Sequence, residues 1–191
     1  MFLKRDNPHA LEIGMVGAKM GDRFLQVGCA DGARLAAVAS KVGLSGRAVV
    51  VTPDEASAAR ARKGAEHEGV LVEIEVASPT RLPFDPDSFD VAVVDDTAGL
   101  VGTMRAEDRV QTLREVCRVL RPGGRVMLIG TAPRGGFGAL LSRAQSGPPF
   151  AASGDATKSL GAEGFRSARI LAEREGLVFV EAMKPGVTAK G

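Results

Sequence analysis

The chain contains no tryptophan and no tyrosine, and only two histidines and two cysteines among its 191 residues. Without tyrosine or tryptophan, a pocket has no phenol to take up a proton and no indole to stack on a ligand. The eight phenylalanines are the only aromatic side chains. Cys29 and Cys117 lie far apart and show no metal-ligand spacing, so they read as two free thiols of a reducing compartment. His67 lies between Glu66 and Glu68 and reads as a solvated surface histidine, while His9 falls in an N-terminal arm. The formal net charge is only +2, which argues against nucleic acid as a partner. "MFLKRDNPHALEIG" has no apolar core of signal-peptide length, and no run approaches a membrane span. The expectation is a soluble, cytoplasmic protein without a membrane partner.

Hydrophobic residues make up 45% of the chain, enough to build one core at this length. Strand and helix patterns alternate from residue 24. "FLQVG" (24–28) is followed by a helical pattern over 32–43, with Leu35, Val38, Ala39 and Val42 on one face. "RAVVV" (47–51) is apolar on both faces, as in a strand inside a parallel sheet. "TPDE" (52–55) predicts a helix start with Thr52 as N-cap, Pro53 at the first helical position and Glu55 three residues after the cap. Strands are predicted at 70–76, 89–95 and 125–131. An amphipathic helix over 105–121 is stopped by "RPGGR". Residues 165–185 read as a hairpin turning near Glu175–Gly176. Residues 132–164 read as a loop-rich insertion with a short helix at Phe137–Ala144. The pattern predicts one α/β domain over 1–191, a Rossmann-like doubly wound, mostly parallel sheet with an antiparallel C-terminal hairpin.

The turn "GCADG" (28–32) joins the first strand to the first sheet-covering helix. Bare glycines there let a ligand approach the backbone near a helix N-terminus. The same turn also reads as a device for helix packing. Its G-x-x-x-G spacing is not G-x-G-x-x-G, which disfavours a dinucleotide oxidoreductase, and no G-K-S/T follows to cradle a triphosphate.

Three segments together are more specific: "DRFLQVGCADG", "LPFDPDSFDVAVV" and "LREVCRVLRPGGRVMLIG". On these, over roughly residues 20–131, the chain resembles class I S-adenosylmethionine-dependent methyltransferases. The similarity is to the small-molecule group that includes the ubiquinone/menaquinone-biosynthesis C-methyltransferases. The resemblance implies S-adenosylmethionine as cofactor and methyl transfer to a small-molecule acceptor. It places the cofactor against Gln26, Gly28, Cys29, Ala30, Asp31, Gly32, Thr52, Pro53, Ser78 and Asp95, with Asp95 and Asp96 as catalytic candidates. "DDT" equally reads as capping the segment after the fourth strand. Phe84 and Phe89 read as core anchors, and Asp90 as a turn or cap.

The chain also departs from the family. Gln26, Thr52 and Ser78 stand where acidic residues are common, and Ala30 stands for a glycine. A threonine offers one hydroxyl where a carboxylate offers two acceptor oxygens for a ribose. Asp54 or Glu55 could reach back to compensate, and Asp31 could meet the ammonium of the methionine part. These departures motivate an alternative, a non-catalytic protein of this fold used for binding or assembly, with a homodimer as its simplest form.

Overall fold

The computed structural model describes residues 7–133 and 149–186. Seven strands form one sheet: β1 (Arg23–Val27), β2 (Arg47–Thr52), β3 (Glu73–Val76), β4 (Phe89–Asp95), β5 (Leu120–Thr131), β6 (Arg166–Arg174) and β7 (Leu177–Met183). Their order is β3-β2-β1-β4-β5-β7-β6. The first five are parallel, and β7 pairs antiparallel with both β5 and β6. The chain builds outward from β1 through β2 to β3, then crosses back to lay β4 against the other side of β1. That reversal opens a crevice beyond the carboxyl ends of β1 and β4, where parallel sheets bind ligands.

The period of two in the strands distributes the core to both faces. Phe24, Val91, Val93, Met127 and Phe179 pack under α1 (Ala10–Val16), α2 (Gly32–Ala39) and α3 (Glu55–Glu68). Leu25, Val27, Ala92, Val94, Leu128 and Val180 face the other way, toward α4 (Ala106–Val119) and α5 (Asp155–Ala162). Phe89 is fully buried and meets Phe84 edge to face, with ring centroids 5.1 Å apart. Both are core anchors, as expected.

The predicted order of elements agrees with the fold from β1 to β7, with local differences mostly at element ends; β3, for one, begins at Glu73 and not at residue 70. Thr52 does not cap α3. It is the last residue of β2, paired with Val76 and fully buried, so its side chain cannot turn back to the helix. Asp54 takes that role, accepting the Ser57 amide at 2.8 Å, so the helix begins at Glu55 and Pro53 precedes the cap and does not open the helix. Helix α2 ends at Ala39 and tightens into a 3-10 turn over Ser40–Val42. Strand β5 begins at Leu120, five residues early, because Leu120 pairs with Phe89 before a register shift. Helix α5 lies inside the stretch read as loop-rich; its Ala156 and Leu160 are buried in the core. The predicted helix at Phe137–Ala144 lies outside the described residues. The hairpin turns at Glu175 and Gly176, both with positive φ (54° and 76°), the geometry that matches strand twist.

At the amino ends of the strands, away from the crevice, Asp90 ties three strands together. Its carboxylate accepts the Arg23 amide at 2.8 Å and the Arg23 guanidinium at 3.1 Å, and it pairs with Arg121. Burial alone would raise its pKa, but the bonds from Arg23 and Arg121 outweigh it and hold the carboxyl at about 2. That is below the unfolded value, so its stabilisation is full above roughly pH 4 and is lost as pH falls toward 2. Both arginines are half exposed, which trims the contribution to about 1–2 kcal/mol. Asp90→Asn is expected to lower stability by that amount at neutral pH and to flatten the acid limb, as read from urea unfolding across pH.

Candidate functional site

The crevice at the switch point is a cleft of about 210 Å³, lined by Gly28–Ala30, Pro53, Asp54, Ser57, Arg60, Asp95, Ala98 and Leu100. Three turns meet there. The first leaves β1 at Gly28, whose φ of +84° suits glycine. The second leaves β2 at Pro53, and the third leaves β4 at Asp95.

Asp95 holds the first and third turns together. Its side chain is 1% exposed, and the Arg34 side chain paired with it is 9% exposed. Arg34 Nη2 donates to both carboxylate oxygens at 2.9 and 3.0 Å. The Ala30 amide donates to Oδ2 at 2.9 Å, and the Thr97 amide and hydroxyl donate to Oδ1 at 3.2 and 2.7 Å. Arg34 also donates to the Thr97 hydroxyl at 2.7 Å. A buried ion pair is tolerable only when its lone pairs are satisfied in this way. Every acceptor direction that could take a proton from a substrate is already engaged.

Asp96 follows but does not line the cleft. Its Oδ1 accepts the Val101 and Gly102 amides at 2.8 and 2.9 Å. Burial pushes its carboxyl up, against those two amides. The structure therefore brings the two aspartates side by side with different tasks. One braces the first turn, and the other folds the segment after β4.

Of the expected cofactor positions, Gly28, Cys29, Ala30, Pro53 and Asp95 line the cleft. Burial pushes the Cys29 thiol up to about 12, so it stays protonated and is no nucleophile. Gln26 lies behind the turn, 2% exposed, and donates from Nε2 to the Gly28 carbonyl at 2.9 Å. Asp31 caps α2, accepting the Ala33 and Arg34 amides at 2.9 and 3.2 Å. Gly32 faces α3 rather than the cleft. A Cβ there would lie 2.1 Å from the Arg60 carbonyl, and one on Gly64 would lie 2.2 Å from the Gly32 backbone. Thr52 turns its hydroxyl toward the Glu75 carbonyl at 3.5 Å, the outer limit of a hydrogen bond. Ser78 is exposed and shares its hydroxyl with Thr80 at 2.7 Å.

Arg34, Arg60 and Leu100 escaped the sequence reading. Arg34 had a signal: it sits four residues before Val38, on the apolar stripe of α2, where a charge requires an internal partner. Arg60 crosses from α3 to donate to the Cys29 carbonyl at 3.2 Å and the Ser57 hydroxyl at 2.8 Å. Leu100 lies in a loop without periodicity, and nothing in its neighbours marks it.

Residues 24–124, just over half of the chain, match the family described as methyltransferase domain. The chain belongs to this family. It is 34% identical over 117 residues to 27-O-demethylrifamycin SV methyltransferase of Amycolatopsis mediterranei, covering 60% of this chain and 40% of that protein. It is 28% identical over 115 residues to the ubiquinone/menaquinone biosynthesis C-methyltransferase UbiE of Idiomarina loihiensis, covering 59% and 44%. The chain thus spans less than half the length of these curated relatives. Among solved structures, a SAM-dependent methyltransferase from Aquifex aeolicus superposes with a TM-score of 0.73 at 19% identity, over 93% of this chain and 89% of that one. At that identity the likeness is one of fold.

The family implies S-adenosylmethionine as the cofactor. The backbone of Gly28–Ala30 and the lip at Pro53–Asp54 suit it. Among the described residues the cleft measures about 210 Å³, smaller than the roughly 300 Å³ or more of a typical cofactor pocket.

Two outcomes test this assignment of roles. Asp95→Ala leaves Arg34 buried without a counter-charge and is expected to cost about 3–5 kcal/mol in urea unfolding, far more than loss of a solvated catalytic carboxylate. Gly64→Ala is expected to cost about 1–3 kcal/mol or more by overpacking α2 against α3, measured in the same way.

Proposed function

We propose that the chain carries out S-adenosylmethionine-dependent methyl transfer to a small-molecule acceptor. One observation supports it above the others: in a chain of the methyltransferase family, the switch-point cleft keeps a glycine turn on one side and a carboxylate, Asp54, on its lip. The rifamycin relative, named for a small-molecule acceptor, points the same way.

Asp54 supplies what Thr52 lacks. One of its oxygens accepts the Ser57 amide, which leaves the second for a ribose hydroxyl. Bonds from the Ser57 amide and side chain keep its carboxyl below the usual range, so it is ionised at neutral pH. A charged acceptor binds a hydroxyl about twice as strongly as a neutral one. When bound, the cofactor supplies an activated methyl on a sulfonium. The protein's remaining task is to hold donor and acceptor in line. Asp95 contributes to that as a positioning residue by fixing the Ala30 amide, and Asp96 does so by fixing the segment after β4. The competing reading, a non-catalytic protein of this fold, draws on the internal commitment of Asp95, and the relatives' names do not favour it.

Isothermal titration with S-adenosylhomocysteine tests the reading. Saturable heat at micromolar to millimolar ligand is expected, and silence at millimolar ligand would overturn it. Asn caps a helix as well as Asp, so Asp54→Asn should keep its melting temperature while binding about tenfold more weakly, a loss of one charge-assisted bond.

A further inference from the structure

One side chain narrows the cleft where it meets the glycine turn. A Cβ on Gly28 would lie 2.6 Å from Leu100 Cδ2 and 3.1 Å from the Asp95 carbonyl. The bare Cα of the glycine turn, the face a ligand would approach, is therefore covered by a leucine of this chain. We propose that Leu100 sets access to the cleft: its side chain rests on Gly28 and rotates away when the nucleoside of the cofactor enters. This rests on the methyltransferase reading and names a binding-determining residue for it.

The rest of the segment is held, which confines the movement. Asp96 accepts the Val101 and Gly102 amides. Arg109 donates from Nε to the Val101 carbonyl at 2.8 Å, and from Nη2 to the carbonyls of Gly102 and Met104 at 3.2 and 3.1 Å. The Arg109 guanidinium also stands over the Phe150 ring, 4.6 Å from its centroid. On the other side, Thr97 is tied to Asp95 and Arg34. Ala98, Gly99 and Leu100 lie between these anchors, and Gly99 is itself held: its amide donates to the Asp96 carbonyl at 2.9 Å, and its carbonyl accepts the Thr103 amide and hydroxyl at 3.0 and 2.8 Å, so the movement is that of the Leu100 side chain. The turn after β1 cannot yield either, because Asp95 holds the Ala30 amide and α2 touches α3 at Gly32 and Gly64. Leu100 is also only partly buried, packed at the margin of the core, so its rotation leaves no large cavity inside the protein.

A closed state lowers apparent affinity by the fraction of molecules that are open. Truncating the leucine removes that penalty. The experiment measures S-adenosylhomocysteine binding by titration calorimetry for the wild-type chain and for Leu100→Ala. Leu100→Ala is expected to bind about threefold to tenfold more tightly than wild type. Leu100→Val, a smaller truncation, should move the affinity the same way by less. If the wild type binds and neither variant binds more tightly, the access role of Leu100 is overturned and the methyltransferase reading stands. If no protein binds at millimolar ligand, that reading falls and the proposal falls with it.

Discussion

A single buried carboxylate, Asp95, joins the two halves of the sheet where the chain reverses direction. β1 and β4 come together late, after the chain has travelled out to β3 and returned, and their carboxyl ends share only backbone pairing through Val27 and Val94. Beyond those residues the two turns bond away from each other, Gly28 to Val51 of β2 and Asp96 to Ile129 of β5, both at 2.8 Å. The Asp95 carboxylate joins them by accepting from Ala30, Thr97 and Arg34 at once. A buried pair of this kind adds little net stability over an apolar contact, but losing one member is severe. Its effect is on shape: it sets how far apart the cleft walls stand.

That geometry also accounts for the side chains around the cleft. Gln26 steadies the Gly28 carbonyl from behind, and Arg60 steadies the Cys29 carbonyl from α3. The glycine turn is thus held at its carbonyls and at the Ala30 amide by side chains from three elements. Gln26, Thr52 and Ser78 each direct a side-chain polar group to a neighbour within the protein. A carboxylate stands two residues beyond Thr52, at the cap of α3.

The strands and helices were legible because period and punctuation agree with them. "RAVVV" is apolar on both faces and lies inside the sheet. "RPGGR" breaks the helix before it, and Glu175–Gly176 turns the hairpin where expected. Element ends were less legible. Thr52 carries a capping signature, yet pairing with β3 claims it first, and Asp54 two residues on is free to cap. Helix α5 was missed because its stretch is rich in glycine, serine and alanine, and only tertiary burial of Ala156 and Leu160 reveals its apolar side. In the cleft, the backbone positions could be read from the turn. The covering leucine could not, since its partner is a glycine 72 residues earlier, brought to it by the β1–β4 crossover.

The outermost strand carries a consequence of its own. β6 is exposed along most of its length, carries Arg166, Arg169 and Arg174, and breaks register twice against β7. An open strand edge is a template for polymerisation when it is flat and apolar. Here the two irregularities interrupt the pairing, and the arginines flank Ile170 and Leu171, the strand's exposed apolar residues. Stacking of copies along that border would have to bring these like charges together and bridge both breaks.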